Sequence, residues 1–165
     1  MGTLLAFPVL IATLMVQMVI VNRLPLLNGT ADLMLLTLVS WALQERVKNV
    51  WIWALVGGAL VTFASAMPAY LPLISYLLVT AIARILQHRV WQSPILALLV
   101  AVVAGTLLNN FLSLFMFQLL DRPIPLKEGL SLVAIPGLLL NLLLALPVYT
   151  VLTDLANWLY PPMEE

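Results

Sequence analysis

Five polar side chains stand out because each lies within or beside a long apolar stretch: Asp32, Asn109, Asn110, Asn141 and Asp154. Carboxylates and amides are costly in hydrocarbon unless another group pairs with them. Asn109 and Asn141 lie on stripes of small residues, so we expect both to face other helices and to make structural hydrogen bonds. Asn110 points about 100° away from Asn109 on a helix, and we expect a different neighbour for it, such as another subunit. Ligand binding is the alternative role for all three amides.

The two acids lie near the ends of apolar segments. Asp32 follows Asn28-Gly29-Thr30, a run of turn-forming residues. We expect Thr30 to cap the next helix and Asp32 to lie in its first turn, where the helix dipole favours negative charge. Asp154 lies in the last turns of the final apolar segment, and we expect it to form a structural ion pair with Arg84 or Arg89.

Residue sets that are typical of catalysis are missing from the sequence. The chain has no cysteine, and its single histidine, His88, lies in a polar loop. The His-Glu-x-x-His zinc pattern, the Gly-x-Ser-x-Gly elbow and a phosphate loop are all absent. Two acids that could share a proton at mid-membrane, as an aspartyl protease requires, are absent as well. We therefore predict a protein that is not an enzyme and has no catalytic, cofactor-binding or metal-binding residues.

Composition places the chain in lipid. Of its 165 residues, 64% are apolar and 8% are charged, with seven basic residues against seven acidic ones. A soluble domain is typically about 25% charged, and a fold of this size could not bury so much apolar surface. Zero net charge without a basic tract argues against nucleic acid as a partner.

Hydropathy and turn residues predict an all-α membrane protein with one domain, residues 1–165, built as a bundle of six transmembrane helices. A helix needs about 20 residues to cross roughly 30 Å of hydrocarbon. The predicted spans are residues 4–21, 32–43, 50–67, 70–86, 94–120 and 130–158. The second span is short, so either residues 25–30 dip into the bilayer or this helix is sheltered by protein.

Tryptophan positions and basic residues bear on the number and direction of the spans. With six spans, all five tryptophans lie on the membrane face of the N-terminus and would form an interfacial belt; they are Trp41, Trp51, Trp53, Trp91 and Trp158. That face carries four basic residues and the opposite face three, which favours an N-terminus inside the cell.

Small residues at four-residue spacing predict where helices approach closely. Such stripes occur in spans three, five and six, so we expect these three spans to pack together, although one stripe could instead face a partner's helix. The stripes are Ala54, Gly58, Thr62 and Ala66; Ala97, Ala101, Gly105, Asn109 and Ser113; and Gly137, Asn141 and Ala145.

Three segments resemble the MreD family of bacterial rod-shape-determining membrane proteins. Residues 31–43 resemble the family's Pro-Asp-leucine-rich second span, and Pro68 with residues 73–79 resembles its third-to-fourth hairpin. Residues 139–149, from Leu139 to Tyr149, resemble its last span and are the best match. One departure is Thr62, which stands where the family often has an acid.

The resemblance implies a six-span protein of the bacterial inner (cytoplasmic) membrane, with both termini cytoplasmic. It implies a scaffold subunit of the cell-elongation complex, which supports peptidoglycan synthesis and cell shape. The implied partners, besides the lipid bilayer, are an MreC-like membrane protein, a RodA-like glycosyltransferase, a class B penicillin-binding protein and, indirectly, the MreB filament.

A second function follows from the same resemblance, because MreD-like folds resemble the substrate-binding subunits of energy-coupling-factor vitamin transporters. The chain would then bind a small molecule. Two features argue against this alternative. The first span has no Ala-x-x-x-Ala ridge, since the residue four positions after Ala6 is Leu10. The loop at residues 67–72 is too small to cover a pocket.

Overall fold

The computed structural model describes residues 4–23, 29–65, 68, 70–89, 93–120, 125, 127 and 129–161. The regular elements of these residues are helical, which confirms the predicted all-α class. There are six α-helices: α1 (Ala6–Val19), α2 (Leu33–Ala42), α3 (Val50–Ala64), α4 (Tyr70–Arg89), α5 (Pro94–Leu119) and α6 (Ile135–Leu159). A 3-10 turn, Val21–Arg23, follows α1, and a π-helical turn, Gly129–Ala134, leads directly into α6.

Three of these helices are long and apolar enough to cross a membrane, which indicates a membrane protein. They are α4, α5 and the continuous helical segment Gly129–Leu159. The other three, α1, α2 and α3, are shorter apolar helices of 14, 10 and 15 residues.

The shortest helix, α2, lies at the centre of the bundle. It packs against all five other helices, and every one of its ten residues is buried. This favours the sheltered second span over the alternative in which residues 25–30 dip into lipid, although residues 24–28 lie outside the described residues. Around α2, the outer helices pack in the order α1, α3, α4, α5 and α6.

The small-residue stripes pack differently from the prediction that spans three, five and six associate. Helices α5 and α6 do pack together, but the main neighbour of α3 is α4. Gly58 of α3 lies against Leu73 of α4, and Gly105 of α5 lies against Val79 of α4. Gly58 and Gly105 therefore allow close contact with α4, a helix for which the sequence shows no such stripe.

Contacts near the helix ends show that consecutive helices alternate in direction: α1 ends where α2 begins, α2 ends where α3 begins, and α5 ends where α4 begins, while α4 runs alongside α2 in the same direction. At one end of the bundle, Gln44, just after α2, donates a 2.8 Å hydrogen bond to Thr153 near the end of α6. At the other end, Gly29, just before α2, lies against Gly137 at the start of α6. We call these the α2-C end and the α2-N end.

Tryptophans differ in exposure, and two of the five that were predicted to form an interfacial belt lie in the core instead. Trp41 and Trp53 are fully buried, and their rings stack with centroids 4.0 Å apart at 21°. Trp51 and Trp158 are exposed, whereas Trp91 lies outside the described residues. The stacked pair joins α2 to α3 inside the core because two large rings bury more apolar area together than either would at the surface.

Candidate functional site

Polar side chains from five helical elements meet at the α2-N end. They include three of the five residues that the sequence singled out: Asp32, Asn109 and Asn141. We call the whole group the polar network; its members are Gln17, Asp32, Ser75, Tyr76, Thr106, Asn109 and Asn141.

Asp32 is the N-cap of α2. Its Oδ1 accepts a hydrogen bond from the backbone N–H of Leu35 at 2.9 Å. Its Oδ2 accepts from the Tyr76 hydroxyl at 2.8 Å and from the Asn109 amide at 3.1 Å. The expectation that Thr30 caps α2 is therefore wrong: the carboxylate caps the helix itself, a position for which Asp is strongly preferred.

Asn109 links α4 and α5 to the start of α2. Its Oδ1 accepts a hydrogen bond from the buried Ser75 hydroxyl at 2.8 Å, while its Nδ2 donates to Asp32. Both polar atoms of this amide are thus engaged with other helices, as its position on a small-residue stripe predicts.

Asn141 makes the corresponding link from α6. Its Oδ1 accepts from the backbone N–H of Asp32 at 2.7 Å, and its Nδ2 donates to Thr106 Oγ1 at 2.9 Å. The side chain is only 2% exposed. An amide in this position satisfies one orphan N–H before α2 and one hydroxyl of α5 at the same time.

The network explains how α2 begins inside the protein. Ten helical residues cover about 15 Å, whereas the hydrocarbon is about 30 Å thick, so the helix cannot place both ends in water. An unsatisfied backbone group in lipid costs several kcal/mol. Gln17 of α1 accepts from the Met34 N–H at 3.1 Å, so the N–H groups of Asp32, Met34 and Leu35 all have side-chain acceptors.

Arg84 of α4 satisfies the opposite end of α2. Its guanidinium donates to the carbonyls of Ala42, Gln44 and Val47 at 3.2–3.3 Å. A positive group at a helix C-terminus also complements the helix dipole. The two ends of α2 are therefore held by side chains of opposite type, the acidic Asp32 and the basic Arg84.

Asp154 follows Thr153 in α6, at the α2-C end. Its side chain is exposed, and no ion pair joins it to Arg84 or Arg89 within the part of the chain that the structure describes. The predicted structural ion pair is therefore wrong, because the Arg84 guanidinium is directed at backbone carbonyls.

Asn110 is half-buried, and its Nδ2 donates to the Thr106 carbonyl one turn earlier at 2.8 Å. The expectation that this amide needs another subunit is therefore not supported, since its own helix supplies an acceptor. Asn110 also borders two spaces. One is a polar cavity of about 180 Å³ beside Asp32, and the other is an apolar crevice of about 280 Å³ along Phe111 and Phe115.

This chain was compared with known protein families, curated proteins and solved structures. No family model, curated protein or solved structure matches this chain. Among the described residues, there is no group of three or more His, Asp or Glu side chains that could hold a metal ion.

Several members of the site were not identified from sequence. Ser75, Tyr76 and Thr106 carry no signal, because hydroxyl side chains are common in membrane helices. Arg84 did have a signal in the sequence, because an arginine inside a predicted span must find buried acceptors or reach the interface. Gln17 was visible for the same reason, as an amide late in an apolar segment.

Proposed function

We propose that this chain is a scaffold subunit of the bacterial cell-elongation complex, of the MreD type, without turnover of its own. It crosses the inner membrane six times, and both of its termini are cytoplasmic. It binds an MreC-like membrane protein and, with it, a RodA-like glycosyltransferase and a class B penicillin-binding protein. The alternating direction of the six helices supports an even number of crossings.

The main support for this proposal is that polar groups inside the bundle form their hydrogen bonds within the chain. Both carboxylate oxygens of Asp32 and both polar atoms of Asn109 and Asn141 are bonded within the chain. A bundle whose interior is fixed in this way is suited to present a constant outer surface. Such a surface is what a scaffold contributes to a complex.

The surface that we assign to the MreC-like partner is a groove between α1 and α6. It has a volume of about 470 Å³ and is floored by Leu33 and Thr37 of α2. Its walls are lined by Val9, Ala12, Thr13, Val148, Val151 and Leu155. Small residues such as Ala12 and Thr13 let a second helix approach closely, so a single transmembrane helix fits this surface.

Affinity purification from native bacterial membranes tests the proposal. We expect the chain to recover an MreC-like protein, identified by mass spectrometry. Ala12→Trp fills the groove and should reduce that recovery at least tenfold. The control Leu143→Trp adds the same bulk on α6 at a side chain that is 72% exposed, and it should leave recovery unchanged. Failure to recover an MreC-like protein with the unmodified chain would contradict the proposed function.

A second candidate function is the small-molecule-binding subunit of an energy-coupling-factor vitamin transporter. The polar cavity of about 180 Å³ beside Asp32 favours it, because a ligand site needs such a space. The same purification separates the two candidates, since a transport subunit would recover a coupling protein and its ATPases instead of an MreC-like chain.

A further inference from the structure

Two spaces of opposite character lie side by side at the α2-N end. The polar cavity is lined by Gln17, Thr30, Asp32, Thr106, Asn109 and Asn141, with Asn110 at its border. The apolar crevice lies between α5 and the π-helical turn Gly129–Ala134, and Asn110 borders it as well. Phe111 and Phe115 are 66% and 52% exposed, so the crevice opens on the outer surface of the bundle.

Asp32 is the only ionisable residue among the described residues that line the polar cavity, and no Lys, Arg or His lies in that lining. Its carboxyl oxygens accept hydrogen bonds from Leu35, Tyr76 and Asn109. An acid without a basic neighbour in apolar surroundings is stabilised by a bound cation.

We propose that the cavity and the crevice together bind an amphipathic amine that enters from the bilayer. Its ammonium group lies beside Asp32, where it pairs with the carboxylate and donates to side-chain oxygens of the lining. Its hydrocarbon tail lies along Phe111, Leu114 and Phe115 in the crevice. A carboxylate or phosphate head is disfavoured because it would meet Asp32 without a basic residue. This inference does not depend on the proposed scaffold function.

Photo-cross-linking tests this site in the intact chain. The protein is placed in phosphatidylcholine nanodiscs with a twelve-carbon alkylamine that carries a diazirine on its tail. We expect labelling to concentrate in residues 107–118, and dodecylamine to compete at least tenfold better than dodecanol or dodecanoate. Equal competition by dodecanoate, or equal labelling around Phe63, a side chain that is 90% exposed on α3, would overturn the proposal.

Two variants test separately the binding of the ammonium group at Asp32 and the border at Asn110 between the polar cavity and the apolar crevice. Asn110→Leu replaces the polar border between the two spaces and should reduce labelling at least fivefold, while the control Phe63→Ala should not change it. Asp32→Asn keeps an N-cap residue but removes the charge, so dodecylamine should lose its advantage over dodecanol. If Asp32→Asn fails to fold, Asn110→Leu decides alone, and undiminished labelling of that variant contradicts the site.

Discussion

Adjacent amides on α5 have different environments, and the difference predicts their effects on stability. Asn109→Leu leaves the buried Ser75 hydroxyl without its acceptor and removes one of the hydrogen bonds of the Asp32 carboxylate, which keeps those from Tyr76 and Leu35. A buried group left unsatisfied costs about 1–3 kcal/mol, so we expect a loss of free energy of unfolding in that range. Asn110→Leu removes only a bond to its own helix and should cost less than about 0.5 kcal/mol.

Equilibrium unfolding of both variants in detergent checks this prediction. The two leucines add the same apolar side chain at neighbouring positions, so each variant is the other's control. Equal destabilisation by the two substitutions would show that the polar network does not depend on Asn109.

Arg84 and Arg89 form a second matched pair, both on α4. Arg84→Met removes the donors to three backbone carbonyls at the end of α2 and should lower the free energy of unfolding by about 2–3 kcal/mol. Arg89→Met and Asp154→Asn change exposed side chains and should stay within about 0.5 kcal/mol. The same unfolding measurement applies, and a large effect of Asp154→Asn would restore the rejected ion pair.

At the residue scale, the sequence identified the polar groups better than their partners. Asp32, Asn109 and Asn141 were visible because a polar residue in an apolar segment is costly. Their contacts join residues up to 109 positions apart, as between Asp32 and Asn141, and no local pattern encodes such a separation. For the same reason Thr30 was taken as the cap, since local preference alone does not distinguish it from Asp32.

The sequence shows which residues form helix α2 but not where the helix lies in the bundle. Its shortness was evident, and a sheltered position was one of two interpretations that the pattern allowed. Its central position depends on contacts with five other helices, and those contacts involve apolar residues that could equally face lipid. Burial inside a membrane protein leaves little trace in hydropathy, because core and lipid-facing side chains are both apolar.

The segment that enters α2 depends on a close approach of backbones. A Cβ atom added at Gly29 would lie 2.5 Å from the Gly137 nitrogen and 2.7 Å from the Val133 carbonyl oxygen, both backbone atoms. At Gly57, the nearest atoms are flexible side-chain ends of Leu38 and Met34 at 3.2 Å. Gly29→Ala should therefore destabilise the protein by about 2 kcal/mol or more, and Gly57→Ala by clearly less.

Thermal unfolding of the two alanine variants in the same detergent gives the comparison. Gly29→Ala should show the lower midpoint. A midpoint for Gly29→Ala at or above that of Gly57→Ala would mean that α6 does not hold the entry to α2 in the way described.

At the scale of the whole molecule, composition, hydropathy and turn residues together predicted an all-helical membrane protein, and six helices are present in the described residues. Their packing order could not be predicted, because lipid gives helices no hydrophobic reason to choose one neighbour over another. The stacking of Trp41 and Trp53 inside the core could not be predicted from the sequence either. A preference of tryptophan for the interface does not exclude a place in the core.

The central proposal is that all six helices cross the membrane around α2, and cysteine accessibility tests it most directly. The chain has no cysteine, so Arg23→Cys, Lys48→Cys and Glu164→Cys each introduce a single thiol. In intact cells, an impermeant thiol reagent should label Arg23→Cys and leave Lys48→Cys and Glu164→Cys unlabelled until the cells are permeabilised. Labelling of Glu164→Cys together with protection of Lys48→Cys would require an odd number of crossings after α2 and would contradict the account.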